Sequence, residues 1–152
     1  MKLRLKELRI KYDMTQREMA EKLNISKSYY NYFETGERII PVTRLNDYCN
    51  AFKLTFDYVL GLDDYPEMPE EDYKIDIRLI GKRLKYVRKI RDYSQKEIAA
   101  LLNTSQSTIS SYEHGKTMLL TAFLYDFCTK LDVSADYIVG RSEVMKKEKL
   151  EK

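Results

Sequence analysis

The sequence predicts an all-α protein built from two tandem copies of one five-helix unit. Apolar residues recur three and four positions apart along most of the 152-residue chain, which is the spacing of helices that bury one face. The stretch at residues 15–36 also returns at residues 94–115, with a constant shift of 79 positions and no gap, so that Gln16 pairs with Gln95. A repeat of this length indicates two small domains rather than one.

The repeat extends beyond this stretch on both sides. Upstream, Arg4 pairs with Arg83, and downstream Gly61 pairs with Gly140. We therefore place module 1 at residues 1–61 and module 2 at 77–140. Between them lies an acidic connector, residues 62–76, with seven acidic residues, one basic residue and two prolines, which argue against a regular element. Residues 141–152 form a charged tail, for which we expect a frayed or partly helical structure.

Each helix follows from local signals. Thr15 and Ser94 are N-cap residues followed three positions later by Glu18 and Glu97, the pattern of a capping box. Gly36 stands where the third helix should end. In module 1 we predict helices over residues 2–12, from Thr15 to the turn at Asn24, and over 27–33, 43–52 and 55–60. In module 2 we predict them over 77–91, 95–102, 106–112, 121–131 and 135–139.

The second and third helices of each module form a helix-turn-helix pattern. Asn24 and Asn103 suit a sharp turn because Asn tolerates the left-handed backbone, and Ser26 and Ser105 are good caps for the helix that follows. The outer face of that helix carries small amides and hydroxyls, which can make paired hydrogen bonds to base edges. The outward residues are Lys27, Ser28, Asn31 and Tyr32 in module 1, and Gln106, Ser107, Ser110 and Ser111 in module 2.

Each module resembles the Xre-like, or lambda-repressor-like, helix-turn-helix domain. The resemblance lies in the Thr/Ser-Gln opening of helix 2, the Leu-Asn turn, the aromatic-Glu-x-Gly ending of helix 3 and the closing Asp-Tyr-x-x-Gly, each present twice. It implies that Gln16 and Gln95 contact phosphate and brace the first recognition residue. It also implies that the two residues opening helix 3, Lys27-Ser28 and Gln106-Ser107, reach base edges. Tyr32 and Ser111, one turn further, should reach bases or the backbone.

The function that follows is a sequence-specific regulator of transcription that binds double-stranded DNA, bacterial or phage by the resemblance. The two modules should read unlike half-sites about one helical turn, roughly 34 Å, apart. We expect them to join through their last helices, with Phe56, Val59 and Leu60 against Ile138 and Val139. The alternative is an antitoxin-like or adaptor protein that binds a protein partner through module 1 or the connector. A homodimer is a further alternative.

The sequence gives little support to other classes of function. It contains no Gly-rich phosphate loop, metal-ligand cluster or nucleophile-base pair, so we expect no enzyme activity and no cofactor. Cys49 and Cys128 occupy equivalent helical positions and should be buried thiols of a reducing compartment. No apolar run is long enough to span a membrane, and the N-terminus lacks a signal-peptide core, which together indicate a cytoplasmic protein.

Charged residues of the first helix in each module have structural explanations. We expect Arg4, Arg9, Arg83 and Arg88 to be solvated or ion-paired rather than bound to DNA, with Arg4 and Arg9 exposed. Glu34 and Glu113 should bond to the backbone or to an arginine at the end of helix 3.

Overall fold

The computed structural model describes residues 1–66 and 71–146, which form ten α-helices and no strand. The chain divides into two compact units, Met1–Asp72 and the residues from Tyr73 onward, with five helices in each. The predicted all-α class is therefore confirmed. The connector residue Met68 and the tail beyond residue 146 lie outside the described residues.

The helices lie where the repeat predicts them, and only their ends differ. Module 1 contains α1 (Leu5–Lys11), α2 (Gln16–Lys22), α3 (Lys27–Thr35), α4 (Val42–Phe52) and α5 (Phe56–Val59). Module 2 contains α6 (Ile77–Ile90), α7 (Gln95–Leu101), α8 (Gln106–Glu113), α9 (Thr121–Leu131) and α10 (Ala135–Ile138). The largest difference is at α1, which begins at Leu5 and not at residue 2. There the N–H of Arg4 bonds to the carbonyl of Val59 at 3.0 Å instead of extending the helix.

The caps and turns are repeated with the helices. In both modules the N-cap hydroxyl of helix 2 accepts the N–H three residues on, and the glutamate there accepts the N–H of the cap, which completes a capping box. Left-handed backbone occurs at equivalent positions of the two modules. These residues are Asp13, Asn24 and Lys53 in module 1, and Asp92, Asn103 and Asp132 in module 2.

Each module has its own apolar core. Met19, Leu45 and Phe56 are fully buried in module 1, as are Ile98 and Leu124 in module 2. Both cysteines are buried, and they form no disulfide with each other. The last helices are also buried, and α5 packs on α4 whereas α10 packs on α6 and α9. A junction between the modules through α5 and α10 stays a prediction.

The described ends of the connector and tail are bound to the modules. Arg4 donates to the carbonyl of Asp63 at 3.0 Å and to the carboxylate of Asp64 at 2.8 Å. In module 2, Arg83 donates to the equivalent Ser142 carbonyl at 2.8 Å and Glu143 carboxylate at 3.0 Å. The expectation of a frayed or partly helical tail is therefore wrong for residues 141–146. They form no helix, and the Arg83–Glu143 salt bridge and the Ser134–Met145 backbone hydrogen bond hold this segment.

Candidate nucleic-acid interface

The outer faces of α3 and α8 carry the residues predicted to read DNA. In α3, Tyr30 and Phe33 are buried on the inner side. Lys27 and Ser28 are exposed at its first turn, and Asn31 and Tyr32 lie half-buried one turn later. The structure therefore brings the four helix residues predicted for module 1 together on one outward face.

Module 2 presents a smaller and more polar face. Ile109 and Tyr112 anchor α8 in the core, while Gln106 and Ser107 are exposed at its first turn. The hydroxyl of Ser105 caps the N–H of Thr108 at 3.1 Å and lies 3.0 Å from the hydroxyl of Ser107. This contact holds Ser107 near the cap, whereas Gln106 extends from the same turn.

The later turn of α8 also carries predicted residues. Ser110 and Ser111 are half-buried. The hydroxyl of Ser110 lies 3.3 Å from Nδ1 of His114, and that ring nitrogen lies 2.7 Å from the Ser110 carbonyl oxygen. His114, the C-cap of α8, therefore contacts Ser110, which is itself one of the predicted DNA-binding residues.

An arginine of the first helix fixes the end of each recognition helix. In module 1, Nε of Arg9 donates to Oε1 of Glu34 at 2.6 Å, and the same guanidinium bonds the Met14 carbonyl at 3.0 Å. Arg88 makes the equivalent bonds to Glu113, at 2.7 and 2.9 Å, and to the Tyr93 carbonyl at 2.9 Å. Bidentate pairs of this kind combine charge with fixed geometry, so they hold α3 and α8 at set angles to the rest of each module.

Both pairs are nearly closed to solvent. The side chain of Glu34 is 3% exposed and that of Glu113 is 3% exposed, so their charges need internal partners. Burial alone raises the pKa of the Glu34 carboxyl, but hydrogen bonds from Arg9, Gln16 and Tyr30 outweigh it and hold that pKa below its ordinary value. Glu34 is therefore an ionised acceptor at neutral pH. The predicted structural role of both glutamates is confirmed.

The glutamines at the start of α2 and α7 join this network. Nε2 of Gln16 donates to Asn31 at 3.0 Å and to Glu34 at 2.9 Å, and Nε2 of Gln95 donates to Glu113 at 3.2 Å. The expected brace to the first recognition residue, Lys27 in module 1 and Gln106 in module 2, is not among these bonds. Lysine offers no acceptor for an amide N–H, whereas Asn31 offers one a turn further along.

The arginines of the first helices are held more tightly than the sequence indicates. The side chains of Arg4, Arg9 and Arg88 are 21%, 15% and 9% exposed, so the prediction that Arg4 and Arg9 are exposed is wrong. The guanidinium groups of Arg4 and Arg83 bind the segment that follows each module. Arg4 also stacks on the Tyr58 ring and Arg83 on the Tyr137 ring, each 4.4 Å from the ring centre. All four belong to structural ion pairs.

Sequence reasoning missed Arg38. Arg38 lies in the loop after α3, and its guanidinium lies 4.9 Å from the ring centre of Tyr32 on that helix, in the geometry of a cation–π contact. An exposed arginine two positions beyond Gly36 is the signal that could have found it. Arg17 and Lys96, which directly follow Gln16 and Gln95, are exposed cations at the start of α2 and α7.

Metal-binding clusters and membrane-spanning helices are both absent from residues 1–66 and 71–146. No group of three or more His, Cys, Asp or Glu side chains lies close enough to hold a metal ion. Among these residues no helix is both long and apolar enough to cross a membrane.

Two family models match the chain, and together they cover more than half of it. A model described as helix-turn-helix matches residues 5–59, and one described as a helix-turn-helix domain matches residues 81–142. Both are of the Xre, or lambda-repressor, type, and their separate positions confirm the tandem arrangement.

Curated relatives match over about one module's length. The HTH-type transcriptional regulator ImmR of Bacillus subtilis (strain 168) is 40% identical over 68 residues, 45% of this chain and 54% of that protein. Antitoxin PezA of Streptococcus pneumoniae serotype 4 is 34% identical over 67 residues, 44% of this chain and 42% of that protein. The uncharacterized HTH-type transcriptional regulator YobD of Bacillus subtilis (strain 168) is 34% identical over 64 residues, which are 42% of this chain and 57% of that protein. The chain spans about half the length of these relatives.

Among solved structures, the restriction-modification controller protein C.AhdI from Aeromonas hydrophila aligns with 41% of this chain and 96% of its own. That alignment has 24% sequence identity and a TM-score of 0.40.

Proposed function

Because the chain belongs to the Xre-like, or lambda-repressor-like, helix-turn-helix family through two tandem domains, we propose that it is a sequence-specific DNA-binding regulator of transcription. The observation that carries this proposal is the repeated arrangement of α3 and α8. Each helix shows a polar outer face to solvent and is fixed at its end by a buried arginine–glutamate pair. A rigid helix with outward amides and hydroxyls suits base readout in the major groove.

The two modules read different half-sites in this proposal. Module 1 offers Lys27 and Ser28 at the first turn of its recognition helix, whereas module 2 offers Gln106 and Ser107. Lysine pairs with guanine acceptors, glutamine pairs with adenine, and serine pairs with either. The recognised DNA is therefore an imperfect palindrome whose halves lie about one helical turn, roughly 34 Å, apart.

In vitro selection from random duplex DNA, with the full chain at a stated salt concentration, tests this proposal. We expect two unlike enriched half-sites at one fixed spacing. A Gln106→Ala variant should lose roughly 1–3 kcal/mol at the half-site of module 2 and retain the other. A selection that enriches no sequence would contradict DNA reading, and a variant that selects the wild-type sequence unchanged would remove Gln106 from the base contacts.

A protein-binding role for module 1 is the second candidate. Tyr29 and Tyr32 are large side chains on the outer side of α3, and Arg38 covers the Tyr32 ring. Tyrosine and arginine are enriched at protein interfaces, and one relative of similar sequence is named an antitoxin. Selection of the module 2 half-site alone, together with a stoichiometric partner lost on Tyr32→Ala, would favour this candidate.

The proposed place of action is the cytoplasm, where bacterial DNA lies. We propose no catalytic step and no cofactor for this chain, because base recognition by a preformed helix face requires neither.

A further inference from the structure

Two contacts hold Arg38 against a single residue of α3. Its guanidinium lies 4.9 Å from the ring centre of Tyr32, in the geometry of a cation–π contact. Its backbone N–H donates to the carbonyl of the same Tyr32 at 3.2 Å, after Gly36 has ended the helix with left-handed backbone. The position of Arg38 is therefore set by the end of the helix that carries the candidate interface.

The hydrogen-bond donors of this guanidinium are not used within the described part of the chain. Arg38 is exposed, and its side chain forms no hydrogen bond or ion pair with residues 1–66 or 71–146. A guanidinium carries five N–H donors in a planar fork, and a cation–π contact uses none of them. Arg38 thus presents a complete set of donors from a fixed place beside α3.

Guanine is the ligand that suits such a group at this place. Tyr32 lies on the outer face of α3, one turn after Ser28, and under the proposed function this face lies inside the major groove. Guanine presents two acceptors there, N7 and O6, and arginine is the side chain that most often bonds to both. Phosphate oxygens also accept from arginine, but they line the outside of the groove rather than its floor.

We propose that Arg38 reads guanine in the half-site of module 1, and that Tyr32 is the positioning residue that holds its guanidinium. The inference rests on the proposed DNA-binding function. Module 2 lacks this pair, because Ser111 stands at the position of Tyr32 and Thr117 at that of Arg38. The contact therefore belongs to module 1 alone, and module 2 supplies a matched control position.

The experiment compares the full-length wild type with four variants by selection from random duplex DNA. Arg38→Ala removes the donors, and the one base pair whose preference it abolishes is the pair that Arg38 reads. Tyr32→Ser inserts the residue of module 2 and removes the ring, whereas Tyr32→Phe keeps the ring. Thr117→Ala is the control in module 2. Thermal unfolding followed by circular dichroism establishes that each variant is folded.

We expect the wild type to prefer guanine at the position identified by Arg38→Ala, roughly tenfold or more over the other bases. Tyr32→Ser should lower this preference about tenfold, and Tyr32→Phe should keep it, because the ring alone provides the cation–π contact. The other positions of the half-site should keep their preferences in both variants. Thr117→Ala should change no base preference.

Titrations of the selected DNA at several salt concentrations separate a base contact from a phosphate contact. A lost phosphate contact weakens binding to every sequence about equally and lowers the slope of affinity against salt by about one ion. We expect Arg38→Ala to weaken binding to the guanine-containing site alone and to leave this slope unchanged. Uniform weakening with a lowered slope would assign Arg38 to the DNA backbone and overturn the inference.

The remaining outcomes separate this inference from the proposed function. A wild type that enriches no sequence contradicts DNA reading itself. A single enriched half-site that is lost in Gln106→Ala overturns the role of Arg38 and leaves module 1 to a protein partner. A base other than guanine at the identified position overturns the guanine assignment, and an unchanged preference in Tyr32→Ser overturns the positioning role. If Tyr32→Ser does not fold, Arg38→Ala still decides whether guanine is read.

Discussion

The Tyr48 hydroxyl is buried without a hydrogen-bond partner among the described residues. Its ring is fully buried and lies 5.0 Å from the ring of Phe52. A buried polar group that lacks a partner loses its hydration and gains nothing in return. The equivalent residue in module 2 is Phe127, which fills the same place without a hydroxyl.

We therefore expect Tyr48→Phe to stabilise the protein by about 1 kcal/mol, because it removes an unpaired hydroxyl and keeps the ring. Urea unfolding of the full chain, followed by circular dichroism, measures the change. The matched variant Phe127→Tyr should shift stability in the opposite direction. A loss of stability in Tyr48→Phe would mean that the hydroxyl makes a favourable contact.

The depressed pKa of Glu34 predicts acid sensitivity. Since its pKa is lower in the folded state than in the unfolded chain, Glu34 contributes stability that is present above the unfolded value of about 4.3. This contribution is lost as the pH falls through the folded value. Urea unfolding between pH 7 and pH 3 should show this loss in the wild type.

Glu34→Gln should lose on the order of 3 kcal/mol at pH 7, because Arg9 keeps its charge without the buried carboxylate. Its stability should also depend less on pH in the acid range than that of the wild type. The exposed Glu37→Gln serves as the control and should resemble the wild type. Equal acid sensitivity in wild type and Glu34→Gln would assign the effect to other carboxylates.

At the scale of elements, the first helices of the two modules differ most. Helix α6 has 14 residues and α1 has 7, and the added length brings Gly81 against the end of α8. A Cβ atom at Gly81 would lie 2.5 Å from the carbonyl oxygen of Glu113 and 2.6 Å from that of Tyr112. Glycine therefore permits the close approach of α6 to the end of the recognition helix.

Gly81→Ala should destabilise the protein by about 1–3 kcal/mol through overpacking against backbone that cannot rotate away. The sign of this change in stability is informative, because alanine in a helix interior is otherwise favoured over glycine by about 1 kcal/mol. Lys82→Ala, on the exposed side of α6, is the control and should have little effect. Thermal unfolding of both variants tests the contact between Gly81 and the end of α8. A Gly81→Ala variant more stable than the wild type would show that α8 shifts to make room for the added methyl group.

Most elements could be predicted from sequence because their signals are local. The capping boxes at Thr15 and Ser94 and the left-handed turns at Asn24 and Asn103 lie within a few residues of the helices they delimit. The contacts of Arg4 with residues 63 and 64 could not be predicted, because helical periodicity shows which face is buried but not which distant group meets it.

The candidate site likewise contains features that the sequence predicts and contacts that it does not. The outward positions of Lys27, Ser28 and Gln106 follow from helical periodicity alone. The choice of Asn31 over Lys27 as the partner of Gln16 depends on side-chain rotamers across two helices. The sequence also indicated a structural role for Glu34 but not the three side chains that bond to it, which are Arg9, Gln16 and Tyr30.

At the scale of the whole molecule, one chain carries both of the helices proposed to read DNA, and their linkage should raise the affinity for DNA. We expect DNA with both half-sites to bind roughly 10²–10⁴ times more tightly than DNA with either alone, because the second contact is intramolecular. Inserting about five base pairs, half a helical turn, between the half-sites should remove this gain. Gel-shift titrations at constant salt measure it, and equal affinity for single and paired sites would mean that the modules act separately.

The buried Arg9–Glu34 and Arg88–Glu113 pairs at the ends of α3 and α8 also affect whether the protein or the DNA would change shape on binding. Each of these helices is fixed by its own module, so under the proposed function little of its structure remains to be ordered on binding. We then expect the DNA, rather than the helix, to change shape where a half-site and its helix do not match. Base pairs outside the direct contacts should influence binding through how readily they bend and twist.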